Sequence, residues 1–274
     1  MANAITYKDI FLSLPGVLHL KKLVIQENVG NHIVMSLQAI MNAELDDYAF
    51  YDLPETISLN YFQNNQEKIL FKGVISSAVL KKDGGNRIIE IVASDATYWM
   101  DIDRKTRCFQ NIEKTVSEVI AEIMKGYGES DSLCNIPDRP IGELIFQYEE
   151  TDWEFLKRFL SKYNESLYPA ATFETIHFQA GIATQNEDVN WDYYPYQKNK
   201  DFSRLAYLSK NGFTELLPAQ FTFYRLENHD VVALGSQIRY KGNLLYVSRI
   251  KRELNNGLLV NTYELKQKEA MLIE

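Results

Sequence analysis

Residues 146–164 read FQYEETDWEFLKRFLSKYN, and the period of the apolar positions changes within the stretch. Up to Tyr148 the residues suit a short strand, expected over residues 144–148. From Asp152 the spacing is helical: Trp153, Leu156 and Leu160 share one face, with Phe155, Phe159 and Tyr163 beside them. Thr151 and Glu154 have the Thr-x-x-Glu spacing in which each side chain satisfies the other's backbone N–H, so a helix is predicted over residues 152–163. Asp152 and Glu154 sit at the positive end of its dipole, and Lys157, Arg158 and Lys162 lie toward the negative end. Asn164 is a residue type that accepts the left-handed turn ending such a helix. The segment is therefore an α/β joint.

A second helix precedes it. Ile112, Val116, Val119, Ile120, Ile123 and Met124 make one apolar stripe, Thr115 and Glu118 repeat the capping spacing, and Gly126 suits a left-handed cap. Residues 129–142, with Asp, Ser, Asn, two prolines and a glycine, read as a loop. Outside this middle the chain reads mainly as strands, with an aromatic loop around residues 191–196. Ile33, Met35, Leu37, Ala39 and Met41 alternate with a more polar set, and Ile57, Leu59 and Tyr61 do the same. Residues 69–82 and 87–95 flank Asp83-Gly84-Gly85, which supplies a hairpin turn. Strands are also predicted over residues 221–226, 237–240, 243–253 and 258–266, with turns at Lys241-Gly242-Asn243 and Asn255-Asn256-Gly257. Ile69-Leu70-Phe71 and Leu244-Leu245-Tyr246 echo one another, each opening a long strand before a glycine turn. The expected fold is α+β and β-dominated: two similar, barrel-like units over residues 1–105 and 172–274 flank an α/β region over 106–171.

Composition narrows the function. Asp and Glu outnumber Lys and Arg by 37 to 29, a net charge of −8, which opposes nucleic-acid phosphates and anionic membranes as ligands. The basic pairs Lys21-Lys22, Lys81-Lys82 and Lys251-Arg252 are expected on solvated faces or turns. The run 11–20 is broken by Pro15-Gly16 and lacks a basic flank, so no signal peptide is read there, and no stretch is long and apolar enough for a membrane span. Cys108 and Cys134 are expected to be reduced, mostly buried thiols. His19, His32, His177 and His229 are scattered, so no metal site and no cofactor are expected. The 17 tyrosines fit a chain with large interfaces.

Two clusters could carry chemistry. Glu149, Glu150, Asp152 and Glu154 could serve a glycoside hydrolase, which needs paired carboxylates, one with a raised pKa. At a helix N-terminus, capping and the dipole explain them better. The aromatics Trp191, Tyr193, Tyr194 and Tyr196 could stack on sugars, and the expectation preferred here is packing at a domain or subunit boundary. Gly126-Tyr127-Gly128 follows a helix instead of opening one, the wrong order for cradling phosphate.

The motifs resemble a known family, the hub proteins of contractile tails: VgrG-type proteins, phage late-control D proteins and the central hub of myophage baseplates. Arg107-Cys108-Phe109-Gln110, then Thr115-Val116, is similar to that family's Arg-x-Phe-Gln-x-x-Thr-Val segment, with two extra residues before the threonine. Gln147-Tyr148-Glu149-Glu150-Thr151-Asp152, continuing through Phe155 and Arg158, is similar to its Gln-Tyr-x-Glu-Ser-Asp-x-x-Phe-x-x-Arg-Leu run. Thr151 stands for serine, and Asn164 for the usual glycine. The resemblance implies a non-enzymatic homotrimer whose six barrel-like units ring a channel. One side would meet a hexameric inner tube and the other a central spike. It also implies assembly in the bacterial cytoplasm into a virion or tail-like particle. VgrG-type chains continue into a spike, so here the spike is expected as a separate chain or a missing extension. A receptor- or carbohydrate-binding tail module using residues 191–196, and a cell-wall hydrolase using Glu149 and Glu150, are the competing expectations.

Overall fold

Alternating burial explains the strands of the first unit: in residues 33–39, Ile33, Met35, Leu37 and Ala39 are buried. The computed structural model describes residues 4–42, 53–182, 189–194, 196–201, 204–208, 214–218 and 221–271. The first unit holds β1 (Ile10–Leu12), β2 (Val17–Asn28), β3 (Val34–Met41), β4 (Thr56–Gln63), β5 (Gln66–Asp83) and β6 (Asn86–Ser94), paired in the order β1-β4-β5-β6-β3-β2. β2 is not among the strands expected from the sequence; its first four residues fall in the run 11–20, which is weighed only as a signal peptide. Gly84 and Gly85 turn β5 into β6 with φ of 56° and 86°, the two positive angles of a tight hairpin.

β5 serves two neighbours. Its first part pairs with β4 and its second with β6, and Val74 faces both Thr56 and Ser94. At this changeover a Cβ on Gly73 would lie 2.2 Å from the Ser94 carbonyl oxygen and 2.6 Å from the Phe71 ring. Gly73→Ala is expected to cost about 1–3 kcal/mol, seen as a lower denaturant midpoint at unchanged slope.

The middle region contains β7 (Lys105–Phe109), α1 (Val116–Met124), β8 (Asp131–Cys134), β9 (Ile145–Glu150), α2 (Asp152–Ser161), β10 (Leu167–Pro169) and β11 (His177–Ala180). Both capping boxes form, at Thr115 and Thr151, and Asn164 takes the left-handed turn at φ 55°. Three local expectations need correction. Ile112 precedes α1 and is 45% exposed, so it leaves the apolar stripe. The positive-φ residue after α1 is Gly128 at 64°, because a 3-10 turn over Lys125–Tyr127 delays the exit. The loop around residue 132 contains β8, held by parallel pairing with the distant β11.

The second unit holds β12 (Val189–Asn190), β13 (Tyr196–Asp201), β14 (Arg204–Leu208), β15 (Thr214–Pro218), β16 (Phe221–Asn228), β17 (Gln237–Tyr240), β18 (Asn243–Asn255) and β19 (Leu258–Lys266). Its order β17-β18-β19-β16-β13 repeats β4-β5-β6-β3-β2 strand for strand. The central hairpins agree in detail. Each long strand bulges at a serine, Ser76 or Ser248, whose hydroxyl donates to a carbonyl of the returning strand, Val92 at 3.1 Å or Glu264 at 3.0 Å. The offset that carries Ser76 onto Ser248 also carries Val92 onto Glu264, and the pair Asp83–Asn86 onto Asn255–Leu258. The sequence echo, which set Ile69 against Leu244, is out of step with this register.

β2 pairs antiparallel with β18 and fuses the two units into one twelve-stranded sheet. Among the described residues the pairings form a path from β1 to β13 and include no β1–β2 pair that would close the first six strands into a barrel. Among the described residues the buried side chains form three clusters. The first centres on Leu23, Ile25 and Phe71, the second on Trp153, Phe155 and Phe159, and the third on Trp191, Tyr240 and Tyr263. No described helix is long and apolar enough to cross a membrane.

Candidate functional site

Asp152, the first residue of α2, has no solvent exposure and gathers four donors. Lys105 Nζ lies 2.7 Å from Oδ2, the Tyr127 hydroxyl 2.6 Å from Oδ2, Arg107 2.6 Å from Oδ1, and Gln147 Nε2 2.9 Å from Oδ1. The antiparallel ribbon β7–β9 explains the convergence. Lys105, Arg107 and Gln147 point to its inner side, and Phe146 and Tyr148 point outward at 55% and 70% exposure.

Burial alone would raise the Asp152 pKa. The bonds from Lys105, Tyr127 and Gln147, with the charge of Arg107, outweigh it and hold the carboxyl below its ordinary range. Burial and Asp152 together push the Tyr127 hydroxyl up. A depressed carboxyl contributes stability above its unfolded pKa of about 4 and loses it as pH falls through the folded value. The urea midpoint is therefore expected to drop more steeply below about pH 4 in the parent than in Asp152→Asn.

The other acids of the cluster also have structural partners. Glu150 holds Arg158 with two 2.7 Å bonds, while Arg158 donates to the Phe146 carbonyl at 2.5 Å. Glu154 accepts from the Thr151 N–H at 3.0 Å, and the Thr151 hydroxyl accepts from the Glu154 N–H at 3.1 Å and donates to Asp101. Glu149 is exposed at φ 48°, and its carbonyl accepts from Arg104 at 2.6 Å. Glu150, Asp152 and Glu154 are thus engaged in an ion pair, a buried network and a helix cap.

Of the other motif residues, Phe109 and Phe155 stack at 5.5 Å in the middle core, Thr115 caps α1, and Gln110 is exposed. The motif helix is bolted to the first unit: Trp153 Nε1 donates to the Gly30 carbonyl at 2.9 Å. Its ring lies 4.9 Å from His32, which bridges Thr97 and Asp101. Cys108 is exposed and Cys134 half-buried, both free, so the expectation of two mostly buried thiols fails for Cys108, which shares the ribbon's outer side with Phe146.

The aromatic segment turns mostly inward. Trp191 is fully buried and donates to Asp230 at 3.0 Å, as does the Tyr194 hydroxyl, while Trp191 packs 4.8 Å from Tyr263. Tyr193 is 58% exposed. The Tyr196 side chain and Pro195 lie outside the described residues.

The seam between the units holds a site that the basic-pair reading missed. Arg252, expected on a solvated face, is buried and donates to Glu27 of β2 at 2.5 Å, to the Tyr263 hydroxyl at 3.2 Å, to Asn261 at 3.4 Å and to the Val232 carbonyl at 2.7 Å. Burial opposes its charge, and Glu27 and Tyr263 more than restore it. Period-two alternation was the available signal, since Arg252 shares a strand face with the buried Ile250. Among the described residues no three His, Cys, Asp or Glu side chains are placed to hold a metal ion.

The Asp152 network lies within a stretch that a known family model covers. The model of the phage tail baseplate hub (GPD) matches residues 26–168, just over half of the chain. The chain belongs to the phage tail baseplate hub family. The matched span runs from the seam strand β2 through the Asp152 network to β10. No curated protein matches the sequence. Among solved structures, the hub chain is similar to the 43 kDa tail protein of prophage MuSo2 from Shewanella oneidensis, with a TM-score of 0.68 at 10% identity over 97% of this chain and 99% of that one. The tail protein of Neisseria meningitidis MC58 gives 0.68 at 12% identity over 96% and 98%. The E. coli c3393 protein, a type VI secretion component with structural similarity to T4 bacteriophage tail proteins gp27 and gp5, gives 0.66 at 12% over 93% and 76%. At such identities the likeness is one of fold.

Proposed function

We propose that this baseplate hub protein is a structural, non-enzymatic adaptor, three copies of which ring a channel between a hexameric inner tube and a threefold central spike. The observation that carries this reading is the repeated strand order, β4-β5-β6-β3-β2 and β17-β18-β19-β16-β13, within one chain. Two like units per chain give a threefold assembly six similar faces, which suits a sixfold partner. The helical middle region occurs once per chain and gives the same assembly a threefold side. Residues 1–105 and 172–274 act in this reading as the tube-facing units and 106–171 as the middle region. The buried networks at Asp152 and Arg252 make each chain a stiff block, which lowers the ordering cost of assembly. The virion or tail-like particle, assembled in the bacterial cytoplasm, is the setting. Light scattering on the purified chain should give three times the chain mass at high concentration, and a monomer at every concentration would overturn the reading.

A further inference from the structure

The ring requires a joint between chains, and the fold contains a template for one. Inside the chain, β2 of the first unit lies antiparallel against β18 of the second, with Asn28 opposite Arg249 and Val24 opposite Glu253. The counterpart of β2 in the second unit is β13. The counterparts of residues 249–253, just past the Ser248 bulge, are residues 77–81 of β5, just past the Ser76 bulge. Among the described residues both counterparts are edges. Among the described residues β13 pairs only with β16, and residues 77–81 pair only with β6. The β5 edge reads Ser77-Ala78-Val79-Leu80-Lys81, and between the Ser76 bulge and Lys81 it carries neither proline nor charge to repel an added strand, with Val79 44% exposed.

We infer that β13 of one copy pairs antiparallel with residues 77–81 of β5 in the next, repeating between chains the joint made within each. The inference rests on the ring reading and adds the register. Val24 faces Ser36, which faces Val92; Gln197 faces Arg225, which faces Glu264. Because Val92 and Glu264 are counterparts, Gln197 is the counterpart of Val24. Carrying the internal joint across sets Gln197 opposite Lys81 and Asp201 opposite Ser77. The contact is head to tail: each copy offers β13 and receives on β5, so three copies close a ring with both edges used.

Cysteine pairing tests the register, since opposed residues on antiparallel strands lie within disulfide reach. In a Cys108→Ser background, Ser77→Cys with Asp201→Cys should oxidise to covalent trimers on a non-reducing gel, and the shifted pair Ser77→Cys with Lys198→Cys should not. A trimer that forms no Ser77–Asp201 link overturns the edge pairing and leaves the ring reading standing. A chain that stays monomeric without linking overturns both. If the variants misfold, amide exchange on the unsubstituted protein decides. Residues 77–81 and 196–201 should gain protection on assembly, and unchanged exchange at either edge of a trimer overturns the pairing.

Discussion

Glu27→Ala is expected to destabilise the chain by about 3–5 kcal/mol, because it strands a buried guanidinium. Arg252 keeps only 4% of its side chain in solvent, and among the described residues its one carboxylate partner is Glu27 across the β2–β18 seam. The remaining acceptors, Tyr263, Asn261 and the Val232 carbonyl, solvate the cation without neutralising it. Removing both charges should cost far less. Glu27→Leu with Arg252→Met is expected within about 1–2 kcal/mol of the parent, since an apolar pair of similar volume escapes the desolvation of two ions. Urea unfolding of the two variants measures the difference. Near-equal losses would mean that the seam is held by strand pairing alone.

Asp152→Ala is expected to cost about 3 kcal/mol, near the lower end for breaking a buried ionic group. Lys105 and Arg107 each retain 29% side-chain exposure and can rehydrate in part, whereas Gln147 is fully buried and loses an acceptor. Glu149→Gln, three residues before the same helix start, is expected to change stability by no more than about 0.5 kcal/mol, because that side chain is exposed. The contrast between the two, read from denaturant midpoints, separates an organising carboxylate from a solvated neighbour. Equal effects would contradict the assignment.

The local grammar was readable from sequence because it depends on neighbours a few residues apart. The Thr151–Glu154 box, the Asn164 turn and the Gly84-Gly85 hairpin all form as their residue types require. What could not be read is what the chain brings together from afar. Asp152 stands among local acids in the sequence, yet its cationic partners, Lys105 and Arg107, come from a strand that pairs with β9 only in the fold. Arg252 beside Lys251 looks like a surface pair until the fold brings Glu27 of β2 and the Val232 carbonyl against it. The repeat was glimpsed through the Ile69 and Leu244 echo, and its register became visible only through the paired bulges at Ser76 and Ser248.

The central claim is that two like units per chain build a ring. Negative-stain class averages viewed down the assembly axis test it most directly. The expected image is a closed ring with a central opening and six similar lobes modulated by threefold symmetry. Particles of single-chain size, or a twofold dimer without an opening, would contradict it.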